Sequence, residues 1–509
     1  MCFKSREPEN SRSDFVRRCG RLLLGTTSLL MLVACGGGGG GSDDPPPTPP
    51  PPANVAPTAE AGAPQTIEWP VATAQLTGSA TDDSSTSSLT YSWSGPAGVT
   101  FGSATAAATS VTFSEPGSYQ LTLSVSDGSA TGTDTVAVTV NPAVYPATDA
   151  SNDTPDHGWT RVAAATEVGM TQSLLDQAAV YAQSGGGAGM IIRRGRLVHS
   201  WGDIDQRYDV KSTTKSMGGI ALGLAIDNGS LALTDLAQAR LSSIGNPPGT
   251  NPEWLDDITV LQLATHTAGF QKPGGYVPLQ YQPGTNWSYS DAGLNWLAEV
   301  LTQVFNQDLA TLLNTEVWTS LGLNSSVGGP DGNTAAANAD IHWRDNRARP
   351  NPTPGIGEKR ELASGMFANV NAMARVGLLF LRNGVWANND RILSESFVTT
   401  VRTPPPANAA MINPDEANFP GATANYGVLW WTNATGVLPN VPRDAYWGWG
   451  LGDSLIVVIP SLDIVAVRAG PQAAVGSSPG ARVWNDDDWN GDYAVLAPFL
   501  DPIAQAVTP

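Results

Sequence analysis

The organisation of this chain is decided by one stretch, Lys211-Ser212-Thr213-Thr214-Lys215-Ser216, which opens an apolar segment continuing to Ile226. Its periodicity predicts a helix that begins near the serine. Three residues are nearly one helical turn, so Lys215 lies on the same face as Ser212 and its amine can reach the hydroxyl. A neutral lysine can accept the serine proton, and we expect burial to lower the pKa of Lys215 toward neutral pH. Ser212 is therefore a candidate nucleophile, with Lys215 as its base.

The start of this helix favours the same chemistry. Its free N–H groups and positive dipole end favour negative charge on the Ser212 oxygen and on an acyl oxyanion. A serine three residues before a lysine also occurs by chance, as a helix cap followed by a solvated lysine. The pair alone is therefore weak evidence of catalysis.

Two other serine motifs lack the partners that their chemistry requires. Gly476-Ser477-Ser478-Pro479-Gly480 has the form of a nucleophile elbow, but neither a predicted helix nor a histidine follows it. Gly452-Asp453-Ser454-Leu455 leads into a predicted strand and lies after His342, the last of four histidines. Both motifs are predicted to be incidental.

The segments around the Ser212 helix are mixed α/β. Strand pairs are predicted at residues 190–192 with 197–199, and at residues 455–459 with 464–467. Helical periodicity occurs at residues 172–183, 216–228, 292–305 and 370–383. This pattern predicts an antiparallel sheet built from both ends of the domain, with a helical insertion between them.

Further motifs follow the Ser212 stretch in a fixed order. They are Leu263-Ala264-Thr265-His266-Thr267-Ala268-Gly269, Pro283-Gly284-Thr285-Asn286-Trp287-Ser288-Tyr289-Ser290-Asp291, Ala363-Ser364-Gly365-Met366-Phe367 and Ala374-Arg375. Together they resemble the β-lactamase-related serine hydrolases, which include class C β-lactamases, D-Ala-D-Ala carboxypeptidases, esterases and 6-aminohexanoate-dimer hydrolases. The resemblance covers about residues 185–470 and implies a β-lactamase/transpeptidase-like fold.

The resemblance also implies roles for individual residues. Ser212 becomes the acylated nucleophile, Lys215 its base and Tyr289 a second base or proton shuttle. A phenol near cationic groups can have a lowered pKa, which we expect for Tyr289. His266 is expected to hold the loop beside the site. The resemblance implies no metal and no cofactor.

Two departures from the family pattern concern substrate binding. The family's Tyr-x-Asn triplet is Tyr289-Ser290-Asp291 here, so we expect Asp291 at the substrate site, where it puts recognition of an acylamino group in doubt. The family's Lys-Thr-Gly or His-x-Gly strand corresponds to residues 447–452, which contain neither Lys nor His. Gly450 is predicted to present a second oxyanion N–H. Trp449 is a candidate for the lining of an apolar substrate pocket, although core packing is the favoured explanation.

Residues 57–142 form a separate all-β region with period-two alternation. They resemble a PKD-type or cadherin-like immunoglobulin sandwich, in which Tyr91-Ser92-Trp93 would be the core strand and residues 115–119 the last hairpin. We expect this sandwich to act as a spacer, with contact to a polysaccharide or protein as the alternative. Residues 143–166 are interpreted as a linker and residues 167–509 as the hydrolase domain.

The N-terminus carries export features. An apolar run at residues 22–33 follows several arginines, and Leu32-Val33-Ala34-Cys35 resembles a bacterial lipobox. Residues 1–34 are thus a predicted signal peptide, Cys35 a lipidated residue and residues 35–56 a Gly/Pro-rich linker. We expect anchoring to the outer membrane. An ordinary cleaved signal is the alternative.

Composition narrows the possible partners. The formal net charge of the 509 residues is −19, and it becomes −22 without residues 1–34, which hold six Lys or Arg and three Asp or Glu. Such an acidic chain is repelled by nucleic acid and by anionic membrane surfaces, so we expect membrane contact only through the lipid anchor. All three cysteines, at positions 2, 19 and 35, precede the predicted domains, which excludes a thiol nucleophile there.

These observations predict a hydrolase of small ester or amide substrates that forms an acyl-enzyme on Ser212. Carboxylesterases and 6-aminohexanoate-oligomer hydrolases are the favoured comparison. β-Lactamase or D-Ala-D-Ala carboxypeptidase activity is one alternative, and a non-catalytic surface-binding lipoprotein is the other.

Overall fold

The computed structural model describes residues 54–69, 72–83, 89–148, 156–245, 249–272, 278–327, 338–344, 360–470 and 493–508. The predicted signal peptide, Cys35 and almost all of the 35–56 linker lie outside these residues. Within the described ranges, the helices are too short or too polar to cross a membrane.

The N-terminal region is a β-sandwich whose inward residues alternate along each strand. Its strands are β1 (Thr58–Glu60), β2 (Gln65–Glu68), β3 (Thr73–Thr77), β4 (Ser79–Thr81), β5 (Thr90–Ser94), β6 (Val99–Phe101), β7 (Ala108–Phe113), β8 (Gly117–Ser126) and β9 (Thr131–Asn141). One sheet has the order β2-β9-β8-β5, the other β3-β7-β6, and β1 pairs with β4. Trp93, Leu121, Leu123 and Val138 are buried between them, which confirms the predicted sandwich.

The prediction of a hairpin at residues 115–119 was wrong. Strand β7 pairs with β3 and β6, whereas β8 pairs with β5 and β9, so this segment crosses from one sheet to the other. The Tyr119 hydroxyl donates to the Glu115 carbonyl at 2.6 Å and fixes the crossing. The last hairpin is β8–β9, where the Asp127 carboxylate accepts from the backbone N–H groups of Ser129 and Ala130.

The C-terminal region is mixed α/β. Its strands are β10 (Ala188–Arg193), β11 (Arg196–Trp201), β12 (Tyr208–Asp209), β13 (Ser325–Val327), β14 (Ile341–Trp343), β15 (Met366–Ala368), β16 (Val385–Trp386), β17 (Asp390–Arg391), β18 (Trp431–Thr432), β19 (Tyr446–Gly450), β20 (Ser454–Ile459) and β21 (Ile464–Ala469). Its α-helices are α1 (Gln172–Gln183), α2 (Thr213–Gly218), α3 (Ile220–Asp227), α4 (Ala237–Arg240), α5 (Val260–Ala264), α6 (Asp291–Phe305), α7 (Leu309–Leu313), α8 (Val370–Leu381), α9 (Glu395–Val401), α10 (Ala422–Asn425) and α11 (Ala497–Gln505).

The main sheet is antiparallel and has the order β11-β10-β21-β20-β19-β18. Strands from both ends of the domain meet in it, and the helical segments lie between them in sequence, which confirms the predicted architecture. Every residue of β10, β20 and β21 is buried. Helices α1 and α11 contact each other, α1 packs on β10 and β11, and α8 packs on β10, β20 and β21.

The predicted helix at residues 216–228 is two helices, α2 and α3, and it begins earlier, at Thr213. Gly219 separates them, and its N–H still donates to the Lys215 carbonyl at 2.9 Å. A Cβ at Gly219 would lie 2.4 Å from a methyl carbon of Leu429, so the chain passes close to that side chain. Only glycine allows this approach without displacing Leu429.

The two described parts of the 143–166 segment, residues 143–148 and 156–166, contact the hydrolase region. The buried Trp159 indole donates to the Asn371 side chain at 2.9 Å, and the backbone of Arg161 forms an isolated parallel β-bridge with that of Leu197. These parts of the predicted linker are therefore ordered.

Candidate active site

Helix α2 is held in place by its own short side chains. All of its residues are buried, and its hydroxyl groups bind three separate segments. Thr213 donates to the Ser454 carbonyl at 2.6 Å, Thr214 accepts from the Met366 N–H at 2.9 Å, and Ser216 donates to the Leu429 carbonyl at 2.7 Å. These contacts fix the position of Ser212, which immediately precedes the helix.

The residue before the nucleophile has an uncommon backbone conformation. Lys211 has φ 49°, in the left-handed region that non-glycine residues rarely adopt. Asp209 holds it there: one carboxylate oxygen accepts from the Lys211 N–H at 3.1 Å and the other from its Nζ at 2.6 Å. Such strain often occurs beside catalytic groups. Asp209 had no predicted role, because no motif in the sequence distinguishes it from other acidic residues.

The structure brings Ser212, Lys215 and Tyr289 together. Lys215 Nζ lies 2.9 Å from Ser212 Oγ, and the Tyr289 hydroxyl is hydrogen bonded to both residues. Lys215 is only 2% exposed, whereas Ser212 is partly exposed. A substrate can therefore reach the hydroxyl while the amine stays out of bulk water.

Asp291 lies against the lysine. Lys215 Nζ is 2.9 Å from an Asp291 carboxylate oxygen and 2.6 Å from the Ala363 carbonyl. Together with Ser212 Oγ and the Tyr289 hydroxyl, these oxygens surround the Lys215 amine with acceptors, as an ammonium group requires. Asp291 is the first residue of α6, where a helix dipole favours negative charge. Asp291 therefore lies beside Lys215 with its side chain 26% exposed, and its contact with substrate stays a prediction.

The expected pKa directions were wrong for both bases. Burial acts to lower the pKa of Lys215, but the charge of Asp291 and the contacts with Tyr289 outweigh it, and the pKa is raised above its ordinary value. Burial likewise raises the pKa of Tyr289, and the nearby Lys215 offsets this only in part. At neutral pH the resting site therefore holds an ammonium and a neutral phenol.

His266 supports Tyr289 from behind. Its Nδ1 accepts from the Ser290 N–H at 3.1 Å, so the ring proton is on Nε2, which lies 3.1 Å from the Tyr426 hydroxyl. Burial and the charge of Lys215 hold the pKa of His266 well below its ordinary value, so the ring is neutral. The imidazole stacks on Tyr289 with ring centroids 4.5 Å apart. This placement agrees with the structural role expected for His266.

A second ring that stacks on Tyr289 was not predicted. It is Phe419, with ring centroids 4.8 Å apart and ring planes only 6° from parallel. Lys272 Nζ lies 5.3 Å from the Phe419 centroid and 5.8 Å from that of Tyr289. No motif precedes or follows Phe419, so only the folded chain shows that it clamps the phenol.

Strand β19 approaches the start of α2 through its glycines. A Cβ at Gly450 would lie 2.2 Å from the Val210 carbonyl, and one at Gly448 would lie 2.8 Å from the Ser216 hydroxyl. Side chains alternate along a strand, so Trp449 points to the opposite face. There it is buried, and its indole donates to Asp453 at 3.1 Å. The Trp449 side chain is therefore part of a hydrophobic core cluster, as the core-packing explanation expects.

The donor role predicted for Gly450 also needs correction. The Asn433 N–H donates to the carbonyl of Ala445, the residue just before β19. In an antiparallel sheet, the backbone N–H and C=O groups of successive residues point alternately to the two neighbouring strands. From Ala445 onward, every second residue therefore points these groups toward β18, and the residues between them point toward β20. By that alternation the N–H of Gly450 points toward its partner in β20, Ser454. This register does not support the donor role predicted for Gly450, whereas its close approach to the start of α2 is observed.

The incidental serine motifs do not form a competing site in the described residues. Ser454 is fully buried at the start of β20, and residues 476–480 lie outside the described ranges. Among the side chains that the structure describes, His, Cys, Asp and Glu form no group of three able to hold a metal ion.

The fold and the Ser–Lys–Tyr arrangement define a serine hydrolase of the β-lactamase/transpeptidase-like class. A family model described as Beta-lactamase matches residues 172–469, more than half of the chain, and one described as a PKD domain matches residues 61–140. The chain therefore belongs to the β-lactamase family of serine hydrolases, with a PKD-like domain ahead of it.

Individual relatives are distant. A Salmonella paratyphi A protein named "Putative D-alanyl-D-alanine carboxypeptidase" is 24% identical over 147 residues, which are 24% of this chain and only 34% of that protein. The solved structure titled "Putative 6-aminohexanoate-dimer hydrolase from Bacillus anthracis" has a TM-score of 0.47 and 16% identity, and covers 66% of this chain and 81% of its own. EstCE1, titled a hydrolase with promiscuous acyltransferase activity, has a TM-score of 0.46 and 18% identity over 67% of this chain and 98% of its own.

Proposed function

We propose that the chain hydrolyses a carboxylic ester or small amide through an acyl-enzyme on Ser212. The observation that carries this proposal is the partly exposed Ser212 hydroxyl, 2.9 Å from a buried amine and hydrogen bonded to a buried phenol. A solvated lysine beside a helix-capping serine would not have this arrangement. The ion pair with Asp291 explains why the amine can be buried, but a non-catalytic chain has no need to hold it against a partly exposed serine.

The reactive form of the enzyme lacks one proton from the Lys215–Tyr289 pair. That pair accepts the Ser212 proton as Oγ bonds to the substrate carbonyl carbon. The oxyanion so formed faces the start of α2, where the Ser212 N–H bonds to no backbone carbonyl among the described residues. When the intermediate collapses, the bond to the leaving oxygen or nitrogen breaks, and the pair returns the proton to that atom.

Deacylation follows the same path with water. The Lys215–Tyr289 pair accepts a proton from water as its oxygen attacks the acyl carbon, and then returns the proton to Ser212 as the free acid leaves. Because these two groups interact strongly, the pH dependence of the reaction belongs to the pair and not to either residue alone.

Uncharged esters and small amides are the favoured substrate class. Strand β19 contains no cationic side chain, so the position at which the family binds a substrate carboxylate has no counter-charge. β-Lactam and D-Ala-D-Ala substrates carry such a carboxylate. They remain the alternatives, and the carboxypeptidase name of the Salmonella relative is the reason to test them.

The direct test is turnover of p-nitrophenyl butyrate by the wild type, by Ser212→Ala and by the exposed-loop control Ser230→Ala. We expect loss of turnover only in Ser212→Ala, together with loss of labelling by a fluorophosphonate probe. Equal rates in all three proteins, or labelling at another serine, would refute the proposal. Nitrocefin, D-Ala-D-Ala peptides and aminohexanoate oligomers then define the substrate class.

The cellular setting is a second part of the proposal. Lipidation at Cys35 would anchor the protein to the outer membrane, with the Gly/Pro-rich segment as a tether and the PKD-like domain as a spacer or as a contact for polysaccharide or protein. Metabolic labelling with a fatty acid tests the anchor. Label that persists in Cys35→Ser would contradict it.

A further inference from the structure

A cavity of about 670 Å³ lies at the end of the main sheet opposite the nucleophile. The active-site end is marked by Gly450, which pairs with Ser454 and contacts Thr213. The other end is marked by Arg193, which pairs with Ile464. The cavity is bordered there by the turns after β10 and β20, the ends of α8 and α9, and part of β2 in the N-terminal sandwich.

Four arginines line this cavity in a chain of strongly negative net charge. They are Arg193, Arg194, Arg382 and Arg402. The Arg382 side chain is only 1% exposed and gives one nitrogen to Asp463 at 2.7 Å. Its Nε and second terminal nitrogen are buried and have no hydrogen-bond partner. Buried guanidinium N–H groups without acceptors are costly, so an absent acceptor would account for them.

Two further arginines have hydrogen-bonding capacity to spare. Within the described part of the chain, the side chains of Arg194 and Arg402 form neither a hydrogen bond nor an ion pair. Arg193 uses its guanidinium to bind the Val168 and Leu462 carbonyls. Burial, together with the charge of Arg194, lowers the pKa of Arg193, as expected where like charges are held together.

The three carboxylates of the cavity are already engaged. Asp463 pairs with Arg382, and Asp444 accepts from the Ser461 N–H at 2.7 Å and from its hydroxyl at 2.9 Å. Glu68 accepts from the Asn141 amide at 3.0 Å. The lining therefore holds four positive and three negative side chains, and the polar groups left without a hydrogen-bond partner are guanidinium N–H donors.

We propose that this cavity is a binding site for the phosphate or carboxylate group of a small anionic molecule. Guanidinium groups bind both oxyanions through paired N–H donors. The volume lies within the range of small-molecule sites and exceeds what a single phosphate fills, so the ligand carries further atoms. The site is distinct from the active site and does not depend on the proposed hydrolase activity.

Helix capping is the competing explanation. Arg382 and Arg402 directly follow α8 and α9, where a cation is favoured near the last carbonyls. Capping does not explain Arg194, which lies in a hairpin turn, or the two buried nitrogens of Arg382 that contact no carbonyl.

The test is thermal unfolding of the full chain in sodium phosphate, sodium citrate or sodium chloride at matched ionic strength. We expect phosphate or citrate to raise Tm saturably by about 2–5 °C over chloride, and the stronger of the two identifies the oxyanion. Arg194→Gln and Arg402→Gln should each abolish this increase without lowering Tm in chloride, whereas Arg240→Gln, outside the cavity, should keep it. Arg382→Gln is a second variant if it folds.

Two results would overturn the proposal. One is no saturable difference between the anions and chloride in the wild type; a lower Tm of Arg402→Gln in chloride would then assign Arg402 to capping of α9. The other is a full response in both Arg194→Gln and Arg402→Gln.

Discussion

Replacing Asp291 by asparagine should make the enzyme active at lower pH. The change keeps the size of the side chain and an oxygen acceptor, but removes a negative charge 2.9 Å from Lys215 Nζ. That charge opposes the effect of burial and holds the pKa of Lys215 above its ordinary value. Without it, burial dominates, the pKa falls, and the neutral amine forms at lower pH.

The size of the effect follows from the geometry. A full charge this close to a buried partner typically changes a pKa by about 1–3, and Asp291, at 26% side-chain exposure, is only partly screened by solvent. We therefore expect the rising limb of kcat/KM against pH to move about 1–3 pH units toward acid in Asp291→Asn. At a pH below the rising limbs of both the wild type and Asp291→Asn, the variant should have a kcat/KM about tenfold higher for each pH unit by which its limb has moved.

The assay is p-nitrophenyl butyrate hydrolysis from pH 5 to pH 10, corrected for the background rate with Ser212→Ala. Asp235→Asn is the matched control, because it removes a carboxylate from an exposed ion pair with Arg240 and should leave the limb in place. A limb that stays in place in Asp291→Asn, or moves toward alkaline pH, would refute the reasoning. A higher KM with an unchanged limb would instead assign Asp291 to substrate binding.

Four further outcomes are expected. Tyr289→Phe should lower kcat/KM by about 10²–10⁴-fold in the same ester assay, because the shuttle hydroxyl is lost while the nucleophile and lysine remain; an unchanged rate would remove the phenol from the mechanism. Gly450→Ala should lower the free energy of unfolding in urea by about 1–3 kcal/mol, because the added Cβ would lie 2.2 Å from the Val210 carbonyl. The control Gly293→Ala should lower it less, because its Cβ meets nothing nearer than 3.4 Å. The pKa of His266 is depressed, so its contribution to stability is full above about pH 6.5 and is lost as pH falls below that value. His266→Gln should therefore lose less stability than the wild type between about pH 6.5 and pH 4.5. Parallel curves of unfolding free energy against pH for the two proteins would contradict this. Nitrocefin should be hydrolysed at least about 100-fold less efficiently than the neutral ester, and comparable kcat/KM values would favour β-lactamase activity.

Local pattern was enough to predict much of the fold. Helix α1 has the bounds expected from its periodicity, and the strand pairs at both ends of the domain meet in one sheet. The boundary between α2 and α3 could not be predicted, because it depends on the approach of Leu429 to Gly219. The crossover at residues 115–119 was missed for a similar reason: a turn motif does not reveal whether the strands on either side pair with each other.

For the candidate site, the residues that come together could be predicted from the sequence, but their protonation could not. The motifs identified the three residues that come together, since helical spacing and chain order are visible in sequence. The protonation of Lys215 was not predictable in the same way, because burial and a neighbouring carboxylate shift the pKa of an amine in opposite directions. Only the folded chain shows that Asp291 and the Ala363 carbonyl complete an ammonium site. The role of Gly450 likewise required the register of β19 against its neighbours.

The charges around the nucleophile point to one kind of chemistry. Lys215 is paired with Asp291, and Lys211 is paired with Asp209, so both cations beside Ser212 are neutralised by the chain itself. Strand β19 adds no cation, and another cation near the site, Lys272, lies over the rings of Tyr289 and Phe419. A site of this kind gains its transition-state stabilisation from backbone dipoles at the start of α2, which act on a developing oxyanion and not on a charge already present in the substrate. Under the proposed function, the carboxylate that offsets the charge of Lys215 also keeps this lysine protonated, so a preference for neutral acyl groups and an alkaline pH dependence would have a common origin in Asp291.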